Sequence, residues 1–214
     1  MRERFFEPGP LRVKICGLTR EPDARRSGEL GADALGFNFW PQSKRYLDPV
    51  EAVPWIRALP GDAARVAVVV NPEPELLAGL LAAGCFEAIQ FHGNESPEFC
   101  RRHGGPRWIK ALAVRPENRG QPGAFPTADV LLDAPSAGFG GSGEAADWSL
   151  AAEWVKSHPE KRFILAGGLT AANVFEAAGT VRPHAVDVAS GVESGPGIKD
   201  LDRVRDFIAQ ARAA

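Results

Sequence analysis

Cysteine is scarce in this chain of 214 residues, and its placement suggests neither staples nor a metal. Cys16, Cys85 and Cys100 show no CxxC spacing and are odd in number, which argues against a disulfide framework or a zinc site and for a reducing cytoplasm. Long apolar runs are missing too. None approaches the roughly 20 residues that span a bilayer, and Met1 to Pro10 lacks the apolar core of a secretory signal. Nor is charge of one sign in excess: 25 basic against 27 acidic side chains leave a net charge of −2. That gives no electrostatic case for nucleic acid or an anionic membrane as a partner. What is there is 44% hydrophobic and 24% charged residues, the balance of a globular protein that buries a large core.

Organisation follows from periodicity. Short runs rich in Val, Ile, Leu or Phe alternate with amphipathic stretches eight times. Strands are expected at Leu11–Cys16, Ala32–Phe39, Arg65–Asn71, Glu87–His92, Arg107–Leu112, Asp129–Asp133, Arg162–Ala166 and His184–Ala189. Helices are expected at Glu21–Leu30, Pro49–Ala58, Pro74–Ala83, Ser96–Arg102, Trp148–Lys156, Ala171–Ala177 and Leu201–Ala211. Thr19, Asp48 and Asp200 stand where caps belong, and Pro22, Pro49, Pro74 and Pro97 suit first turns. Between the fifth and sixth strands, Val114–Ala128 carries three prolines and two glycines, so a loop with at most one turn replaces the fifth helix. Pro8-Gly9-Pro10 marks residues 1–10 as a loose leader before a single domain over 11–214. Eight βα repeats in so short a chain favour a closed (β/α)8 TIM barrel; the open doubly wound sheet is the alternative.

Such barrels carry their chemistry at the C-terminal ends of the strands. Those ends hold Cys16, Asn38, Asn71, His92, Lys110, Asp133, Gly167-Gly168 and Ser190-Gly191. Cys16 and Asp133 are the groups suited to moving protons, and their strands are not adjacent in the ring, so a small substrate fits between them. Three glycine clusters, Gly140-Gly141-Ser142-Gly143, Gly167-Gly168 and Ser190-Gly191, follow consecutive strands and offer backbone N–H groups to a phosphate. Alternation puts Lys14 and Cys16 on one face of the first strand, and Asp187 points inward on the eighth. A buried ammonium requires a partner, so a Lys14–Asp187 ion pair is expected. Cys16 needs nearby positive charge to act as a base, and Lys14 is placed to supply it.

These pieces, in this order, resemble the phosphoribosylanthranilate isomerase family over Leu11 to Ile208. The resemblance rests on Lys14-Ile15-Cys16-Gly17-Leu18-Thr19, Ser43-Lys44-Arg45-Tyr46, Gln90-Phe91-His92-Gly93, Leu131-Leu132-Asp133, Gly140-Gly141-Ser142-Gly143, Ala166-Gly167-Gly168-Leu169 and Asp187-Val188-Ala189-Ser190-Gly191-Val192-Glu193. It implies an Amadori rearrangement of an aminoaldose to an aminoketose in tryptophan biosynthesis, with no cofactor and no metal. By the same resemblance Asp133 is the general acid, Cys16 the general base and Arg45 the holder of the substrate carboxylate. His92 lines the pocket, and Gly141, Ser142, Gly143, Gly167, Gly168, Ser190 and Gly191 surround the phosphate. The implied partner is the small-molecule substrate, with the chain a monomer or homodimer.

The chain departs from the family's pattern in four places. Glu144 stands where lysine is common, Phe91 where leucine is usual, Ala189 where serine is common, and the leader is longer than in a minimal member. Two rivals differ in kind: another phosphosugar enzyme, such as a histidine-pathway isomerase or indole-glycerol-phosphate synthase, and a non-catalytic barrel that only binds phosphosugars. The bland readings assign Cys85 and Cys100 to packing, and His103, His158 and His184 to solvated or capping positions. Trp40 is placed to touch an aromatic substrate.

Overall fold

The computed structural model describes residues 2–135 and 146–214. Each β-rich run forms a strand, because β-branched and long apolar side chains fit a pleated surface covered on both faces. The strands are β1 (Arg12–Ile15), β2 (Ala34–Asn38), β3 (Ala64–Val69), β4 (Ala88–Phe91), β5 (Trp108–Ala113), β6 (Asp129–Asp133), β7 (Arg162–Leu165) and β8 (Ala185–Val188). Neighbours run parallel, and β8 returns to β1 with Lys14 opposite Asp187, which closes the barrel and disposes of the open sheet.

The surrounding helices are α1 (Glu21–Glu29), α2 (Pro49–Ala58), α3 (Pro74–Ala82), α4 (Pro97–His103), α6 (Trp148–Ser157), α7 (Val174–Val181) and α8 (Leu201–Arg212). Proline opens α1 to α4, where its missing N–H has no helical acceptor to lose. Asp48 and Asp200 cap α2 and α8 through their side chains, as the sequence suggests. Thr19 does not cap α1: its Oγ1 donates to the Gly197 carbonyl at 2.6 Å, and Arg20 takes the cap position. The start of α7 is also later than expected. The Asn173 side chain accepts from Thr170 N and donates to Gly168 O, holding the chain in a turn until Val174. Between β5 and β6 lie a 3-10 turn (Pro116–Asn118) and one α-helical turn, α5 (Gln121–Ala124), so the proline-rich stretch replaces a full helix with two short turns.

Side-chain alternation sorts two cores. Val13, Ile15, Leu35, Phe37, Ile89, Phe91 and their like pack outward beneath the helices; Phe91, in the leucine position, meets Phe99 and Trp108 edge-on there. Cys85 and Cys100 are buried in the same layer. The inward set at the lower end is built from small residues, Ala34, Ala64, Ala88 and Ala185, which leave space on the axis.

That space corrects the expectation of a loose leader. Arg2–Phe6 form a 3-10 helix, and Phe5 and Phe6 are buried against the inward alanines. Arg107 covers the Phe6 ring at 4.4 Å, and His184 Nε2 donates to the Phe5 carbonyl at 2.7 Å. His184 is therefore a tether for the leader rather than a solvated residue, and burial lowers its pKa.

After β8 the chain makes a 3-10 turn (Ser190–Val192) and an antiparallel hairpin, β9 (Glu193–Gly195) with β10 (Ile198–Lys199), which lies against the upper end of β1. Among the described residues no helix is long and apolar enough to cross a membrane.

Candidate active site

At the upper end of β1, Cys16 N donates to the Val188 carbonyl, continuing the β1–β8 ladder by one residue and aiming the side chain inward. One layer below, Lys14 is fully buried, with Nζ 2.6 Å from Asp187 Oδ1. This is the ion pair that strand alternation and ring closure demand. Burial alone would lower the Lys14 pKa, but Asp187 and Cys16 outweigh it and hold the ammonium up to about 12. Lys14 is therefore a standing positive charge beneath the thiol. For Cys16, burial pushes the pKa up and Asp187 adds to the rise, while Lys14 and Lys199 oppose it without cancelling it.

Gly36 on β2 makes this packing possible. A Cβ there would lie 2.7 Å from Cys16 Sγ, closer than real Cβ atoms come, and 3.1 Å from Lys14 Nζ, a tight contact. Its spatial task appears once β1 and β2 are paired.

Asp133 ends β6 on the far side of the opening. Its Oδ1 accepts from Ala134 N at 2.9 Å, and Oδ2 lies 3.1 Å from His92 Nε2. Gln90, one inward step below His92 on β4, donates from Nε2 to His92 Nδ1 at 3.0 Å. The proton of His92 is thereby set on Nε2, which donates to Asp133. Gln90 escaped the sequence reading because a buried strand amide gives no signal until its neighbour two residues on is seen to need orientation.

Cys16 and Asp133 open on one cavity of about 350 Å3, together with Arg45, Trp40, Gln90, His92, Gly167, Gly168 and Ser190. Gly167 and Gly168 have φ of +82° and +62°, a left-handed turn that favours glycine and turns backbone toward the cavity. Gly191 does not line the cavity; it is packed against the Leu169 carbonyl with no room for a side chain. Gly141, Ser142, Gly143 and the departing Glu144 lie outside the described residues. Ala189 faces the cavity, and its carbonyl accepts from Lys199 Nζ. A second cavity, about 690 Å3, runs along the upper ends of β4 to β6 and shares His92 and Asp133. It is larger but contains neither the thiol nor the glycine turn, and its buried charges, Lys110 and Glu95, neutralise each other at 2.7 Å.

Arg45 reaches the cavity from the segment between β2 and α2. Its Nε and Nη2 donate to Glu193 at 2.8 and 2.7 Å. Glu193 Oε1 also accepts from Lys199 Nζ at 2.9 Å, and Lys199 Nζ in turn donates to the Cys16 carbonyl at 2.6 Å. Neither Glu193 nor Lys199 was assigned a site role from sequence, since Arg45 and Glu193 are 148 positions apart and no local spacing links them. Among the described residues, no cluster of His, Cys, Asp and Glu is arranged to hold a metal ion.

Comparison with known proteins gives the family. Residues 13–210 match the family model for N-(5′-phosphoribosyl)anthranilate (PRA) isomerase. The N-(5′-phosphoribosyl)anthranilate isomerases of Myxococcus xanthus and Bordetella parapertussis are 44% and 42% identical, covering 95% and 94% of this chain and 97% and 96% of their own lengths. The crystal structure of phosphoribosyl anthranilate isomerase from Thermotoga maritima superimposes with a TM-score of 0.84 at 42% identity, over 95% of this chain and all of that one. A PRA isomerase crystallised with reduced 1-(o-carboxyphenylamino)-1-deoxyribulose 5-phosphate superimposes at 0.81 with 40% identity and the same coverage.

Proposed function

The chain belongs to the N-(5′-phosphoribosyl)anthranilate isomerase family, and we propose that Cys16 and Asp133 divide between them the proton transfers of its reaction. That reaction is the aldose-to-ketose isomerisation of phosphoribosylanthranilate to 1-(2-carboxyphenylamino)-1-deoxyribulose 5-phosphate in tryptophan biosynthesis.

The chemistry requires an acid at the ribose ring oxygen and a base at C2′. Asp133 gives its proton to the ring oxygen as the anilino nitrogen pushes its lone pair toward C1′, so the C1′–O bond breaks and an iminium forms. The iminium acidifies C2′–H, and the Cys16 thiolate removes that proton, leaving an enolamine. Protonation at C1′ and loss of the C2′ hydroxyl proton give the ketone. The proton gained by Cys16 and the one lost by Asp133 are exchanged through solvent, which resets both. The substrate's imine serves as the electron sink.

The observation that carries this reading is that a thiol and a carboxyl from non-adjacent strands share one cavity with a left-handed glycine turn. Lys14 and Lys199 supply positive charge where the thiolate forms. His92 orients Asp133, and the guanidinium of Arg45 takes the substrate's ring carboxylate. The phosphate belongs at Gly167, Gly168 and Ser190, with Gly141, Ser142 and Gly143 completing its surround. In this reading the partner is the small substrate, not nucleic acid or membrane, and the chain works as a monomer or homodimer. A cytoplasmic setting suits three free thiols.

The test follows the loss of phosphoribosylanthranilate fluorescence. Asp133→Asn is expected to lower kcat by about 100- to 10,000-fold while still binding the reduced product analogue. Near-parental turnover in that variant refutes the acid. A parent protein that binds the analogue without turnover supports the non-catalytic rival.

A further inference from the structure

We infer that Glu193 is a positioning residue for substrate selectivity: it turns Arg45 so that the guanidinium meets the ring carboxylate only with its outer edge. The inference rests on the reading of Arg45 as carboxylate holder. A guanidinium offers planar donor pairs on distinct edges. Glu193 takes the Nε–Nη2 edge with two bonds, which fixes the plane and leaves the terminal edge to face the cavity that Arg45 lines.

The holder is itself held. Glu193 Oε1 takes a second cation, Lys199, whose ammonium also binds the Cys16 carbonyl. Arg203 Nη1 pins the Glu193 backbone carbonyl at 2.7 Å. From the other side Arg45 lies along Gly17, where φ is +72° and a Cβ would collide with the Arg45 Cδ. Burial works against ionisation of Glu193, but Arg45 and Lys199 outweigh it, and its pKa is lowered. One ammonium therefore ties the carboxylate holder to the backbone of the proposed base. An amine that carries an ortho acid is positioned for proton removal, and one without it is not.

Selectivity tests this, because a purely structural role lowers activity on every substrate alike. kcat/KM is measured for phosphoribosylanthranilate and for N-(5′-phosphoribosyl)aniline, which lacks the carboxylate. In Glu193→Gln the preference for the acid, the ratio of the two kcat/KM values, is expected to fall at least about tenfold, the acid losing more than the aniline compound. Glu193→Asp, which keeps a charge for Lys199 but spans less, is expected to lose preference too, and it serves if the glutamine variant folds poorly. A preference within about twofold of the parent's, or equal losses on both substrates, overturns the inference. Arg45→Met separates the two layers. If it shifts preference while the Glu193 variants do not, the inference alone fails; if it lowers both substrates equally, the reading of Arg45 fails.

Discussion

Lys14 and Asp187 face each other across the seam where the barrel closes, Nζ 2.6 Å from Oδ1, directly beneath Cys16. The pair joins fold and chemistry, since it satisfies a fully buried ammonium and keeps that charge under the thiol. Its contribution to stability has a definite pH window. The folded pKa of Lys14, about 12, lies above its ordinary 10.5, so the contribution is complete below pH 10.5 and is lost as pH rises through 12. The shift corresponds to about 2 kcal/mol. Lys14→Met leaves Asp187 unpaired and is expected to cost about 3–5 kcal/mol near neutrality. Denaturant titrations should show the gap narrowing between pH 10.5 and 12; a constant gap counts against the pair.

The raised thiol pKa of Cys16 predicts a rate law. Alkylation of the unliganded protein by iodoacetamide should accelerate with pH around a midpoint above the ordinary 9.0, and Lys14→Met should move that midpoint higher, because Lys14 opposes the rise. Cys16→Ser should lower kcat by about 100-fold or more. Parental turnover in the serine variant would exclude Cys16 as the base.

Gly36 offers a test of packing around the thiol. Gly36→Ala forces a methyl group against Sγ and Nζ, and overpacking of this kind costs about 1–3 kcal/mol. Turnover should fall much further than stability, because the displaced atoms are the reactive ones. An alanine variant with full activity would show that the thiol need not stay where it is.

Phe5 gives the contrary pattern. Phe5→Ala removes an aromatic ring from the lower core and is expected to cost about 3–5 kcal/mol, with kcat and KM unchanged below the melting transition. Loss of activity without loss of stability would argue that the leader reaches the site.

Much of the architecture was legible because both periodicities were clean. Val13 and Ile15 against Lys14 and Cys16 announced a strand with an apolar outer and a functional inner face, and ring closure then brought Lys14 to Asp187. The leader was misread for a physical reason. Two phenylalanines among charges do not look like core until the alanines of four distant strands open a space for them. Thr19 was misassigned because a carbonyl 178 positions away bound its hydroxyl first. The Arg45–Glu193–Lys199 chain stayed hidden because it exists only in three dimensions, where the β2–α2 segment meets the hairpin after β8.

Phe5 and Phe6 complete a packed lower interior, so the cavity shared by Cys16 and Asp133 lies at the opposite end of the strands. Reactant and product must use that same space in turn, each waiting on the other's departure. Product is thus expected to inhibit competitively with substrate, because both occupy the one cavity that Cys16 and Asp133 line.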